Sequence, residues 1–252
     1  MRIIIAGKEI ARQQILQWEQ ERVDVDRQFL EKRLNTPVPV TNAEELARFK
    51  ADLPDEKMRS CLQSTLKRTT ALTNTFTKLA GTKRKISVAE IYLDFCNAVQ
   101  LHEMYDDMML NNTPENRFSC LRANPDHYLL KGVDATDQEV IEFTGGLPFP
   151  IQFTIRYGDF HGLVSKQEPE YPVQAAGASY LNNGFCIGAV RHQIADTEEG
   201  CKVKLSVEFP ALLPKKNIQA HERHLAIEFY NWFSEFERRV KQAQKANMGK
   251  GV

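Results

Sequence analysis

Near the end of the chain, the run His221-Glu222-Arg223-His224-Leu225-Ala226-Ile227-Glu228 sets an imidazole and a carboxylate four residues apart. On a helix, side chains at that spacing stand one above the other, so His224 and Glu228 offer two donors from one rigid backbone. Imidazole nitrogen and carboxylate oxygen are ligands that Zn²⁺ and similar divalent ions accept. An ordinary His–Glu pair on a wet helix edge has the same spacing and contributes only a few tenths of a kcal/mol. Two further histidines favour chemistry. His161 follows a segment that alternates apolar and polar residues, and His192 lies on another strand-like segment, sharing a face with Gly188 and Val190. If the C-terminal helix covers the sheet these segments build, His161, His192, His224 and Glu228 are the candidate metal ligands, and three of them converging on one ion leave a fourth position open for water, as catalytic zinc requires. His192 and His224 are then the candidate catalytic groups, and without a metal either one is a general acid or base.

Other signatures of chemistry are missing. There is no Gly-rich phosphate loop with its lysine, no Gly-x-Ser-x-Gly elbow and no His-Glu-x-x-His. Gly145-Gly146 is a helix stop. His102-Glu103 has Asp106 where a zincin has its second histidine, which makes His102 a core-edge residue and Glu103 a solvated one. Lys plus Arg and Asp plus Glu each total 33, so no net field draws nucleic acid or an anionic membrane. No apolar stretch approaches the roughly 18 residues that cross a bilayer, and Gly7 interrupts the short apolar run Ile3 to Ala6 before it becomes a signal sequence. The five cysteines are odd in number with no Cys-x-x-Cys, as expected of reduced thiols in a cytoplasmic protein.

The elements that must position these residues fall into two regions, 1–112 and 113–252. The first reads as helical. Ala11 to Leu34 is rich in good helix formers, and Thr41 with Glu44 makes a capping box for a short helix. Asp55 to Leu79 is a long helix closed by Gly81. Ser87 with Glu90 makes a second capping box, for a helix reaching about Leu110. A third box, Thr136 with Glu139, predicts a short helix from Asp137 to Thr144. After residue 148 the period changes to two: Phe149 to Tyr157, Val173 to Leu181, Phe185 to Ile194 and Cys201 to Phe209 read as strands, linked in part by the turns Asn182-Asn183-Gly184 and Glu198-Glu199-Gly200. Strands joined by short turns pair antiparallel. From about Asn217 to Ala246 runs a helix whose Leu225, Phe229, Trp232, Phe233, Phe236 and Val240 fall in one stripe, and such an aromatic face must lie on the sheet. The fold class is therefore α+β: a helical N-terminal half, then an antiparallel sheet wrapped on a long C-terminal helix around a ligand cavity, an architecture similar to the helix-grip or START-like fold. The N-terminal helices serve as a lid or as a surface for homo-oligomers.

Over about its last 100 residues the chain resembles the zinc hydrolases that cleave carbon–carbon bonds of acylated polyphenols, the phloretin and diacetylphloroglucinol hydrolase family. That family holds its metal with a His and a Glu from the sheet and a His-x-x-x-Glu on the C-terminal helix. His224-Leu-Ala-Ile-Glu228 is similar to the helical pair, and His161 matches the sheet histidine. The sheet glutamate has no clear counterpart, and His192 stands at a plausible position instead. The resemblance implies a zinc-assisted retro-Claisen cleavage of a small, largely apolar or aromatic carbonyl compound. Two other readings suit the same cavity: a carrier of an apolar ligand, and a metal-free cyclase or hydratase that uses histidine.

Overall fold

The computed structural model describes residues 1–144 and 146–248; Gly145, half of the expected helix stop, and the end of the tail from 249 lie outside it. The described elements are β1 (Arg2–Ile5), β2 (Lys8–Glu9), α1 (Arg12–Leu34), α2 (Ala43–Ala51), α3 (Asp55–Ala80), β3 (Arg84–Leu93), α4 (Ala98–Leu110), α5 (Pro114–Ala123), β4 (His127–Gly132), β5 (Asp137–Glu142), β6 (Ile151–Tyr157), β7 (Val173–Tyr180), β8 (Cys186–Thr197), β9 (Gly200–Pro210) and α6 (Lys215–Met248). The nine described strands form one sheet in the order β2-β1-β3-β9-β8-β7-β6-β5-β4, and every neighbouring pair is antiparallel. The small residues of β7 serve close approach: a Cβ on Gly177 would stand 2.2 Å from the Arg156 carbonyl oxygen.

The alternating segments after residue 148 all form strands, and α6 covers the sheet with the aromatic stripe expected of it. Leu225, Phe229, Trp232, Phe233 and Phe236 are buried against Ile91, Leu93, Val203, Leu205 and Tyr105, while Val240 is half-buried. Burying a side chain of this size stabilises the fold by roughly 1.5–3 kcal/mol, so the stripe is what fixes α6 to the sheet.

Three capping-box expectations are corrected. Residues 84–93 are strand β3, between β1 and β9. Ser87, Ala89, Ile91 and Leu93 are buried in alternation with half-buried Val88, Glu90 and Tyr92, so a period of two underlies the Ser-x-x-Glu spacing. Strands β1, β2 and β3 thus bring part of the expected helical half into the sheet, and helix α4 starts only at Ala98, capped by Asn97 and Gln100. Residues 137–142 are strand β5, not a helix. Thr136 instead closes a turn in which its backbone N–H and that of Asp137 donate to the Asp134 carboxylate at 2.8 Å. The cap of α2 is displaced by one residue: Asn42 accepts from the Glu45 N–H, and the Glu45 carboxylate accepts from the Thr41 N–H and hydroxyl.

A cavity of about 480 Å³ lies between the sheet and α6. Phe153, Ile155, Val190 and Phe209 line it from the strands, Leu225 and Trp232 from α6, and Leu72 and Phe76 from α3. No helix among the described residues is long and apolar enough to cross a membrane.

Candidate metal centre

At the cavity wall, where Glu142, His224 and Glu228 line it, these three side chains and His127 behind them come together from a hairpin and a helix, all four buried. Strand β4 begins with His127 and strand β5 ends with Glu142, and the two residues are paired directly across the hairpin. Directly opposed residues project from the same face of a sheet, so one pairing supplies an imidazole and a carboxylate side by side. Helix α6 supplies the other imidazole and carboxylate, His224 and Glu228, one turn apart. The donor atoms of His127, Glu142 and His224 all lie within 4.8 Å of one another. His127 Nε2 is 3.6 Å from Glu142 Oε2 and 3.6 Å from Glu228 Oε1. His224 Nε2 is 3.9 Å from Glu142 Oε2 and 3.6 Å from Glu228 Oε2.

These separations are too long for hydrogen bonds. They are close to the roughly 3.3 Å edge of a tetrahedron whose metal–ligand bonds are about 2.0–2.1 Å. Both imidazoles are also oriented from their far side. His127 Nδ1 is 2.7 Å from the Cys120 carbonyl oxygen, and His224 Nδ1 is 3.2 Å from Asp126 Oδ2. A carbonyl or carboxylate on Nδ1 fixes the N–H there and leaves the Nε2 lone pair to face the cluster, the arrangement that metal-binding histidines show. His127 Nε2 is buried and has no hydrogen-bond partner, which is costly unless the nitrogen has another use. An orphaned lone pair and two buried carboxylates fit a divalent cation well.

The electrostatics agree. Burial pushes the Glu142 and Glu228 carboxyls well above the usual carboxylate range, because removing an anion from water is expensive. Burial and the neighbouring His224 charge hold His127 down at about 3. Burial opposes charge on His224 as well, but the Asp126 carboxylate, with Glu142 and Glu228 nearby, outweighs it and lifts the ring to about 9. Three carboxyl groups, Asp126, Glu142 and Glu228, thus face the His224 ring.

The residues singled out from sequence are placed as follows. His224 and Glu228 are in the cluster. His161 is exposed in the β6–β7 loop, where its N–H donates to Asp159 at 2.8 Å, and it is not among the clustered donors. His192 is buried on β8 and lines the cavity beside Phe229 and Tyr105, with its Nδ1 unpartnered. His127 and Glu142 were missed because the Thr136–Glu139 spacing suggested a helix. A usable signal was there: the short apolar runs Tyr128-Leu129-Leu130 and Val140-Ile141 flank a Gly132-Val133-Asp134 turn. No protein-family model matches the chain, and no curated protein matches it in sequence.

Proposed function

We propose that this protein is a zinc-dependent hydrolase that cleaves a carbon–carbon bond beside the carbonyl of a small, aromatic or largely apolar compound. The observation that carries this reading is the convergence of His127, Glu142 and His224, whose donor atoms lie within 4.8 Å of one another, with Glu228 3.6 Å from both imidazoles and the buried His127 Nε2 otherwise unpartnered. It is the donor set that the resemblance to phloretin and diacetylphloroglucinol hydrolases calls for: a His and a Glu from the sheet, then His-x-x-x-Glu on the C-terminal helix. His127 stands where sequence reading placed His161, and Glu142 supplies the glutamate that had no counterpart. The sheet, cavity and covering α6 suit a helix-grip fold.

A divalent ion held by His127, Glu142 and His224, with Glu228 beside it, would keep a position open and supply Lewis-acid polarisation of a carbonyl oxygen. The chain's own groups do the rest. The apolar walls at Phe153, Ile155, Val190 and Phe209 bind the carbon skeleton and exclude water. A polar strip at the side takes ring hydroxyls: the Tyr157 hydroxyl donates to Gln138 Oε1 at 3.2 Å and lies 3.4 Å from the Tyr105 hydroxyl. His192, which burial lowers to about 4, adds a neutral imidazole to this strip.

Protein purified without chelator is expected to contain close to one zinc or similar divalent ion per chain by elemental analysis, and to lose it in His127→Ala and His224→Ala. It should cleave an acylated polyphenol, and a strong chelator should stop the reaction. Metal-free protein that retains an apolar ligand in both variants would replace this reading with that of a carrier. Metal-free protein with full turnover would leave a metal-independent enzyme.

A further inference from the structure

Beside the cluster, the N-terminal helices bury a lysine with no access to solvent. Lys50 on α2 and Asp26 on α1 form an ion pair at 2.6 Å, and both side chains are fully buried. The other two N–H donors of the Lys50 ammonium go to backbone carbonyls, Pro125 at 2.5 Å and His127 at 2.8 Å. The ammonium also lies 4.4 Å from the centre of the Tyr128 ring, whose hydroxyl donates to Asp26. One cation therefore grips the main chain on both sides of Asp126 and at the residue that presents the first imidazole.

Burying an ion pair this deeply is seldom the cheapest way to hold a fold together. Replacing such pairs with packed apolar residues is often neutral or stabilising. What an ammonium adds is direction, because its three donors must meet three acceptors at fixed positions. Around it, the 124–128 segment is tied on every side. Arg22 of α1 holds Asp126 Oδ1 at 2.6 Å, the other carboxylate oxygen faces His224 Nδ1, and Asn124 donates to the His224 carbonyl at 3.1 Å. Two helices distant in sequence thereby set the backbone from which His127 and Asp126 project.

We propose that Lys50, paired with Asp26, is a positioning residue of the metal centre: by fixing the Pro125 and His127 carbonyls it sets where the His127 imidazole stands. The inference rests on the metal reading above, and it gives α1 and α2 a role in ion binding as well as in packing. It predicts that metal affinity depends on a side chain that touches neither the ion nor the cavity.

The test uses the full-length chain and the charge-neutral pair Lys50→Met with Asp26→Asn, which leaves no buried charge stranded and keeps an acceptor for Tyr128. Zinc affinity is measured by competition with a chromogenic chelator, and cobalt(II) is loaded so that its d–d bands report ligand geometry. We expect a folded variant whose zinc affinity is about 10–100-fold weaker, with altered cobalt bands. A folded variant with wild-type affinity and wild-type cobalt bands overturns the positioning role and leaves the metal reading intact. Wild-type protein that binds neither ion overturns both. If that variant does not fold, Lys50→Gln with Asp26→Asn, which keeps a donor for one carbonyl and again strands no charge, is read in the same assay: weakened affinity supports the proposal and unchanged affinity overturns it.

Discussion

Two buried polar clusters lie close together in this molecule, and they are built on opposite principles. Around Lys50, opposite charges pair: the ammonium lies 2.6 Å from Asp26 and donates to two carbonyls, and Tyr128 donates to the same carboxylate. Around His127, equally deep, they do not. Two carboxylates face two imidazole Nε2 atoms at 3.6–3.9 Å, beyond hydrogen-bond reach, and one of those nitrogens has no partner. Buried charge alone does not mark a functional site. A charge-paired network specifies structure, whereas ligand-type atoms that converge without a cation among them mark a place for one.

The largest effect should separate the clusters by stability. Lys50→Met leaves Asp26 buried without its cation and should cost about 3–5 kcal/mol. Glu142→Gln removes a carboxyl that burial already disfavours in its charged form, so in the presence of chelator it should cost less than about 1 kcal/mol. Denaturant unfolding of the two variants under chelator checks the pair. Equal losses would mean that the His–Glu cluster is as much a part of the scaffold as the lysine.

A smaller effect should sharpen the boundary between them, where Asp126 belongs to both. Its Oδ1 is held by Arg22 and its Oδ2 faces His224 Nδ1. Asp126→Asn keeps the shape but removes the charge that orients the ring, so zinc affinity should fall about 10–100-fold. Unchanged affinity in chelator competition would assign Asp126 to the scaffold alone.

The part of this arrangement that was legible in sequence is the part whose signal is local. The pair His224 and Glu228 is visible because a helix brings i and i+4 together whatever surrounds it. The aromatic stripe of α6 and the strands β6 to β9 were visible through their periods. Strands β3 and β5 were not, because Ser87/Glu90 and Thr136/Glu139 happen to stand at capping-box spacing, although β3 alternates in burial from Ser87 on and β5 does so as far as Val140. Misreading β5 hid the hairpin, and with it the cross-strand pairing of His127 with Glu142, a relation between residues fifteen apart that only the register defines. Lys50 gave no signal at all: nothing around it on α2 announces carbonyl partners more than seventy positions away.

The smallest effects concern the two histidines that looked like ligands in sequence. His192 is buried at the cavity wall, with its ring against Phe229 and Tyr105, and it is not among the clustered donors. His192→Ala should therefore keep the metal content of the wild type and act on substrate, raising KM more than it lowers kcat, because the side chain lines the cavity and lies outside the clustered donors. His161 should be silent. It is exposed on the β6–β7 loop, and its backbone makes hydrogen bonds there, the N–H donating to Asp159 and the carbonyl accepting from the Cys186 thiol, contacts that survive truncation of the side chain. Surface substitutions of this kind stay within about 0.5 kcal/mol, so His161→Ala should match wild type in metal content, melting temperature and turnover. Loss of zinc in His161→Ala would return the site to the loop and remove His127 from it. Unchanged zinc in His161→Ala, together with its loss in His127→Ala, would show that the first imidazole comes from the β4–β5 hairpin.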